Sequence, residues 1–200
     1  MANFIPAGAA SCEIRASNSR FIAHLAPVDT VTQAKAFIAT IRQAMPDASH
    51  HVYAYVIGHG ATTTLGMSDD GEPSGTAGRP ALAVLNGSGL GDVVVVVTRY
   101  FGGTLLGTGG LVHAYGDAVR EVLLVTTRVE KIARQQWILV ISYAQYDGVK
   151  RTLTQYDHRI DDEQFAADVT ITVTLRVADA DAIRAILVEQ TAGQIEMISG

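Results

Sequence analysis

The sequence predicts an α+β protein of two domains, divided near residue 130. Three observations carry this. Fifteen of the 19 glycines fall between Gly58 and Gly116, which concentrates backbone freedom in the middle third. Apolar spacing switches between a period of two and a period of 3.6, the mark of mixed strand and helix. The last 70 residues read in the order β-α-β-β-α-β, a pattern that forms a unit of its own.

Taken in order, Cys12–Ala16 and Arg20–Leu25 alternate as strands, the second with Phe21, Ala23 and Leu25 on one face. Thr30 and Gln33 form a capping box, and Val31, Ala34, Ile38, Ile41 and Met45 follow at helical spacing until Pro46 stops the run. His50–Ile57 reads as a strand and Thr62–Met67 as a weaker partner across a glycine-bearing hairpin. A polar segment from Ser68 to Gly78 leads into a helix over 79–85, with Pro80 in its first turn and Asn86-Gly87 closing it. Val93–Thr98 is apolar on both faces, which places it centrally in a sheet. Leu111, Tyr115, Ala118 and Val122 then mark a long helix entered through Gly107–Gly110.

Charges interrupt the apolar period over Thr126–Ile132, where the domains join: residues 1–130, then 131–200. Beyond the join, Trp137–Tyr143, His158–Asp161, Ala167–Val177 and Gln194–Ile198 read as strands. Gln145–Tyr156 and Ala180–Glu189 read as helices, which completes a ferredoxin-like order.

Composition narrows the function. With 48% apolar residues and a net charge of −5, the chain is not of the disordered class. No apolar run approaches the ~18 residues of a membrane span, and no cationic segment leads into an apolar N-terminal stretch, so a cytosolic protein is expected. The single cysteine, Cys12, rules out an internal disulfide framework and a cysteine-based zinc cluster. Neither half is basic: eight cations face ten carboxylates through residue 130, and seven face ten after it. Nucleic-acid binding would therefore need a local patch.

Two segments offer chemistry. The first is Asp69-Asp70-Gly71-Glu72-Pro73-Ser74-Gly75-Thr76-Ala77-Gly78-Arg79-Pro80. Its three carboxylates suit a hard cation, although the spacing is not that of an EF-hand. Its glycines before a helix suit an anion, with Arg79 adding charge. A solvated turn with a helix cap explains the same residues equally well. The second, Thr98-Arg99-Tyr100-Phe101-Gly102-Gly103 through Gly110, runs from the central strand into the long helix. It is neither a Walker A loop nor G-x-G-x-x-G, and no cofactor is assigned to it. Arg99 beside Tyr100 and Phe101 can hold a phosphate while a ring stacks on a base or a partner, or the rings can simply be core. The histidines, His50 and His51 among them, lack ligand spacing and read as satisfied or surface groups. There is no serine-nucleophile elbow and no H-E-x-x-H.

Ser19–Ala23, His50–Tyr55, Ser68–Pro80 and Val94–Gly110 together resemble the IMPACT family in its bacterial branch, over essentially the whole chain. Asn18 and Val52 depart from it, standing where relatives carry lysine and cysteine. The resemblance implies an N-terminal α/β sandwich like domain four of elongation factor G and the GHMP kinases. It implies a C-terminal ferredoxin-like domain like domain five of that factor, and a role in translational control. Eukaryotic relatives carry an additional RWD domain for which this chain has no room, so their kinase-related role is not transferred. No catalytic residue is implied.

The leading expectation is a non-enzymatic protein that binds RNA or the ribosome through Ser74, Gly75, Arg79, Arg99, Tyr100, Phe101, Gly102 and Gly103. Asp69, Asp70 and Glu72 would shape the rim, and Lys150, Arg151 and Arg159 would add a platform on the C-terminal sheet. The alternatives are an enzyme for a small phosphorylated ligand, with Asp69, Asp70 and Glu72 holding Mg²⁺, and an adaptor that meets a protein partner at Tyr100–Phe101.

Overall fold

A computed structural model describes residues 3–199. The chain forms two compact units, residues 1–131 and 132–200. The first is built on a five-stranded antiparallel sheet in the order β2(Ala10–Ala16)-β3(Ser19–Pro27)-β6(Val93–Tyr100)-β4(His50–Ile57)-β5(Thr64–Ser68). β6 is the middle strand, and its valines run buried on both faces because helices cover both. Val94 and Val96 pack with Ala34, Ile38 and Ile41 of α1(Val31–Ala44). Val93, Val95 and Val97 pack with Ala81 and Leu85 of α2(Gly78–Gly87) and with Leu111, Tyr115 and Val119 of α3(Gly107–Leu124). The result is a helix–sheet–helix sandwich in which Arg99, two residues past Val97, emerges on the α2/α3 face at the end of the strand.

A short ribbon completes this unit: β1(Phe4–Pro6) pairs with β7(Arg128–Glu130). The charges of that second stretch read as a break in the pattern, yet it is a strand. It is exposed along its length, so no buried face imposes alternation on it. The hairpin after β4 also differs in detail, since Gly60–Thr62 is a 3₁₀ turn and β5 begins at Thr64.

In the second unit, β8(Arg134–Ile141), β9(His158–Phe165), β10(Val169–Arg176) and β11(Glu196–Ser199) form a sheet in the order β11-β8-β10-β9. Helices α4(Tyr143–Leu153) and α5(Ala180–Gln190) supply Val149, Leu153, Ile183 and Leu187 to a core with Trp137, Ile171 and Leu175. This is the ferredoxin-like arrangement. β9 runs four residues past its expected end through Asp162-Glu163-Gln164-Phe165, three polar residues and an exposed phenylalanine that an edge strand tolerates. Lys150 and Arg151 lie on α4 rather than on the sheet. Lys150 pairs with Glu163, and Arg159 with Asp161, so two of the three cations expected to form a platform are locally neutralised.

Candidate functional site

The two glycine segments meet at the end of the first sheet, but they do so with different chemistry. In the first, Asp69 turns inward. Its carboxylate accepts from the backbone N–H groups of Gly75 (2.8 Å), Ala77 (3.0 Å) and Gly78 (2.8 Å), closing the loop onto the start of α2. Burial raises the Asp69 carboxyl, but these donors and the charge of Arg79 outweigh it and hold the group below its ordinary range. The anion expected at this helix start is therefore the protein's own. Gly78 is required there because a Cβ would stand 2.8 Å from the Ser68 carbonyl carbon and 2.9 Å from its oxygen.

Asp70, at φ +47°, accepts from the His51 backbone N–H and pairs with Arg42. Glu72 crosses to the other segment. Its Oε1 accepts from Arg99 Nη1 at 2.5 Å and from the Tyr115 hydroxyl at 2.7 Å. The three carboxylates thus serve three different sets of partners. Among the described residues no group of three or more His, Cys, Asp or Glu is placed to hold a metal ion. Ser74 and Arg79 are exposed, and neither lines the cleft described next.

The second segment stays open. Gly102 donates to Ser19 Oγ at 3.2 Å and lies so close against the Asn18 carbonyl that no Cβ fits. Tyr100 leaves the site: its hydroxyl donates to Asp47 at 3.1 Å, and Arg20 covers its ring. Phe101 remains 48% exposed, with the Arg99 guanidinium 5.5 Å from its centroid. Gly103, at φ +82°, has no neighbour near the position of a Cβ. The chain then enters α3 at Gly107 with no side-chain cap and no carboxylate in the first turn. The N–H groups of Gly107, Thr108 and Gly109 have no partner among the described residues.

These residues enclose a cleft of about 420 Å³, the size of a small-molecule site. Phe101, Leu105, Leu106 and Leu111 wall it, Gly107 and Thr108 form one lip, and His50, Glu72 and Arg99 supply its polar end. Of the residues singled out from sequence, the fold brings together Glu72, Arg99 and Phe101. His50, Leu105, Thr108 and Tyr115 were missed. His50 faces Arg99 across the β4–β6 pair, a juxtaposition that only strand register reveals. Its Nδ1 lies 2.8 Å from the Asp70 carbonyl, and its Nε2 lies 3.9 Å from Glu72 Oε1. Burial first, then the hydrogen bond and charge of Glu72, hold the Tyr115 phenol far above its ordinary pKa, so it acts as a neutral donor.

Fold and cleft define a two-domain α+β protein with a candidate ligand site at one end of its larger sheet. Comparison with known proteins agrees over both domains. The profile of the Impact N-terminal domain matches residues 17–123, and that of a domain of unknown function, DUF1949, matches residues 139–194. The chain belongs to the IMPACT family, in its YigZ branch. It is 41% identical to the IMPACT family member YigZ of Escherichia coli, over 98% of this chain and 96% of that one. It is 35% identical to the IMPACT family member YvyE of Bacillus subtilis, over 94% and 86%. A crystal structure of a hypothetical protein superposes with a TM-score of 0.75 at 41% identity, covering 99% of this chain and 97% of that one. Among the described residues no helix is long and apolar enough to cross a membrane.

Proposed function

We propose that this is a non-catalytic cytoplasmic protein that binds RNA or the ribosome in translational regulation. The observation that carries the reading is the convergence of Glu72 from one glycine segment with Arg99, Phe101 and the uncapped start of α3 from the other on a single open cleft. Family membership supports the translational setting. Since Glu72 neutralises Arg99, binding through this cleft depends on ring contacts, with few phosphates engaged.

Filter binding of structured and single-stranded RNA across a salt series tests this. The expected result is a shallow salt dependence, a slope near −1 that corresponds to one or two phosphates on single strands. Thr108→Asp, which places a carboxylate in the first turn of α3, should weaken binding about tenfold, a like-charge effect worth about 1.4 kcal/mol. Absence of binding at low salt overturns the reading. A partner that survives nuclease digestion in pull-downs would move it to a protein adaptor.

A further inference from the structure

Resting on that reading, we propose that the cleft accepts one unstacked nucleobase bearing an exocyclic amino group, with the phosphate of the same nucleotide at the first turn of α3.

The polar end of the cleft is built to accept hydrogen bonds. Glu72 Oε1 is already engaged by Arg99 and Tyr115, whereas Oε2 accepts nothing from the described residues. The Asp70 carbonyl can only accept, so the His50 Nδ1 that meets it carries the proton. In the neutral ring His50 Nε2 is then a second acceptor, beside the carboxylate. Two neighbouring acceptors call for an N–H donor. Arg99 already balances the charge of Glu72, so a neutral amino group fits better than an ammonium, which would be desolvated without a free counter-charge.

The rest of the cleft suits the rest of a nucleotide. Phe101 offers an exposed ring, and Leu105, Leu106 and Leu111 offer apolar walls, which a flat heterocycle satisfies and a sugar alone does not. At the lip, the N–H groups of Gly107, Thr108 and Gly109 point out of a helix of 18 residues that has no cap of its own. A second observation marks this end as a site rather than a bare helix start. Gly107 and Thr108 line the same cleft as Glu72, Arg99 and Phe101, so the helix start closes one end of it. Gly109 points the same way, because a Cβ there would meet nothing and internal packing gives no reason for glycine.

Binding of nucleoside monophosphates by the full chain, followed by amide chemical shifts, tests this with two pairs in which a keto oxygen replaces the exocyclic amino group and the adjacent ring nitrogen changes from acceptor to N–H donor. These are cytidine against uridine monophosphate, and adenosine against inosine monophosphate. The wild type should prefer the amino member of each pair about tenfold, the discrimination of one good edge contact. Glu72→Gln keeps a carbonyl for Arg99 and Tyr115 and turns an NH₂ into the cleft. It should reverse the preference toward the keto members, a change of sign that loss of folding cannot mimic. Phe101→Ala, at an exposed position, should weaken all four ligands together. Cytidine without its phosphate should bind several-fold more weakly at low salt. Equal affinity within each pair overturns the inference. So does RNA binding without any monophosphate binding, although that result leaves the proposed function standing. Selective monophosphate binding without RNA binding has the opposite meaning: the site is real and the RNA reading fails.

Discussion

Helices α2 and α3 begin alike, each after a glycine-bearing loop beside the central sheet, but only one start is free. The start of α2 is filled by Asp69, whose carboxylate takes three backbone N–H groups of its own loop. Among the described residues the start of α3 has no side-chain cap and no carboxylate in its first turn, and it borders the open cleft. A glycine loop and a helix start are therefore not enough to define an anion site. What decides is whether the chain supplies an internal carboxylate, and in the first loop it does, nine residues before Gly78.

The largest test of this contrast concerns Glu72, the carboxylate that leaves the first loop and reaches the second. Glu72→Ala abandons the buried Arg99 guanidinium, which should cost about 3–5 kcal/mol of stability in denaturant unfolding. A loss below 1 kcal/mol would mean that the two loops are not coupled through this pair.

Glycine replacement gives the next largest effect, and its sign differs between the loops. Gly78→Ala drives a Cβ into the backbone of Ser68 and should destabilise by about 1–3 kcal/mol. Gly109→Ala enters open space in a helix and should stabilise by about 0.5 kcal/mol. Thermal melts of the two variants should move in opposite directions; a shift the same way would break the comparison.

The smallest effect is a pH dependence. The carboxyl of Asp69 is lowered on folding, so its cap is fully present above the ordinary carboxylate value of about 4 and is lost as pH falls through the lower folded value. Wild type should exceed Asp69→Asn by about 1 kcal/mol near neutrality, and the gap should close as the solution is acidified. A gap that is constant with pH would show that the backbone donors do not depend on the charge.

Much of this was legible in the residues. The valine run of β6 could only be a strand covered on both sides, and half of the capping box at Thr30–Gln33 forms as spaced: Thr30 Oγ1 accepts from the Gln33 N–H at 3.2 Å, while the Gln33 side chain accepts from the N–H of Asp29 instead of Thr30. Arg99, Phe101 and Glu72 stood out by type and by their glycine neighbours. His50 did not, because the adjacent His50 and His51 lack ligand spacing and carry no signal until the strand opposite is known. Tyr100 and Arg79 looked equivalent to Phe101 and Arg99 in sequence; alternation along the strand and the turn of the helix sent them elsewhere.

The amino-acid order thus determined most of the elements, the exposed β1–β7 ribbon excepted, and the two-domain α+β class, since periodicity, caps and turn residues act over a few neighbours. Tertiary structure alone decided which carboxylate serves as a cap, which meets an arginine and which helix start stays bare. Those outcomes depend on groups separated by 27 residues, as with Glu72 and Arg99, or 43, as with Glu72 and Tyr115. Hydrogen bonds and ion pairs act through distance in space, and the sheet register sets that distance.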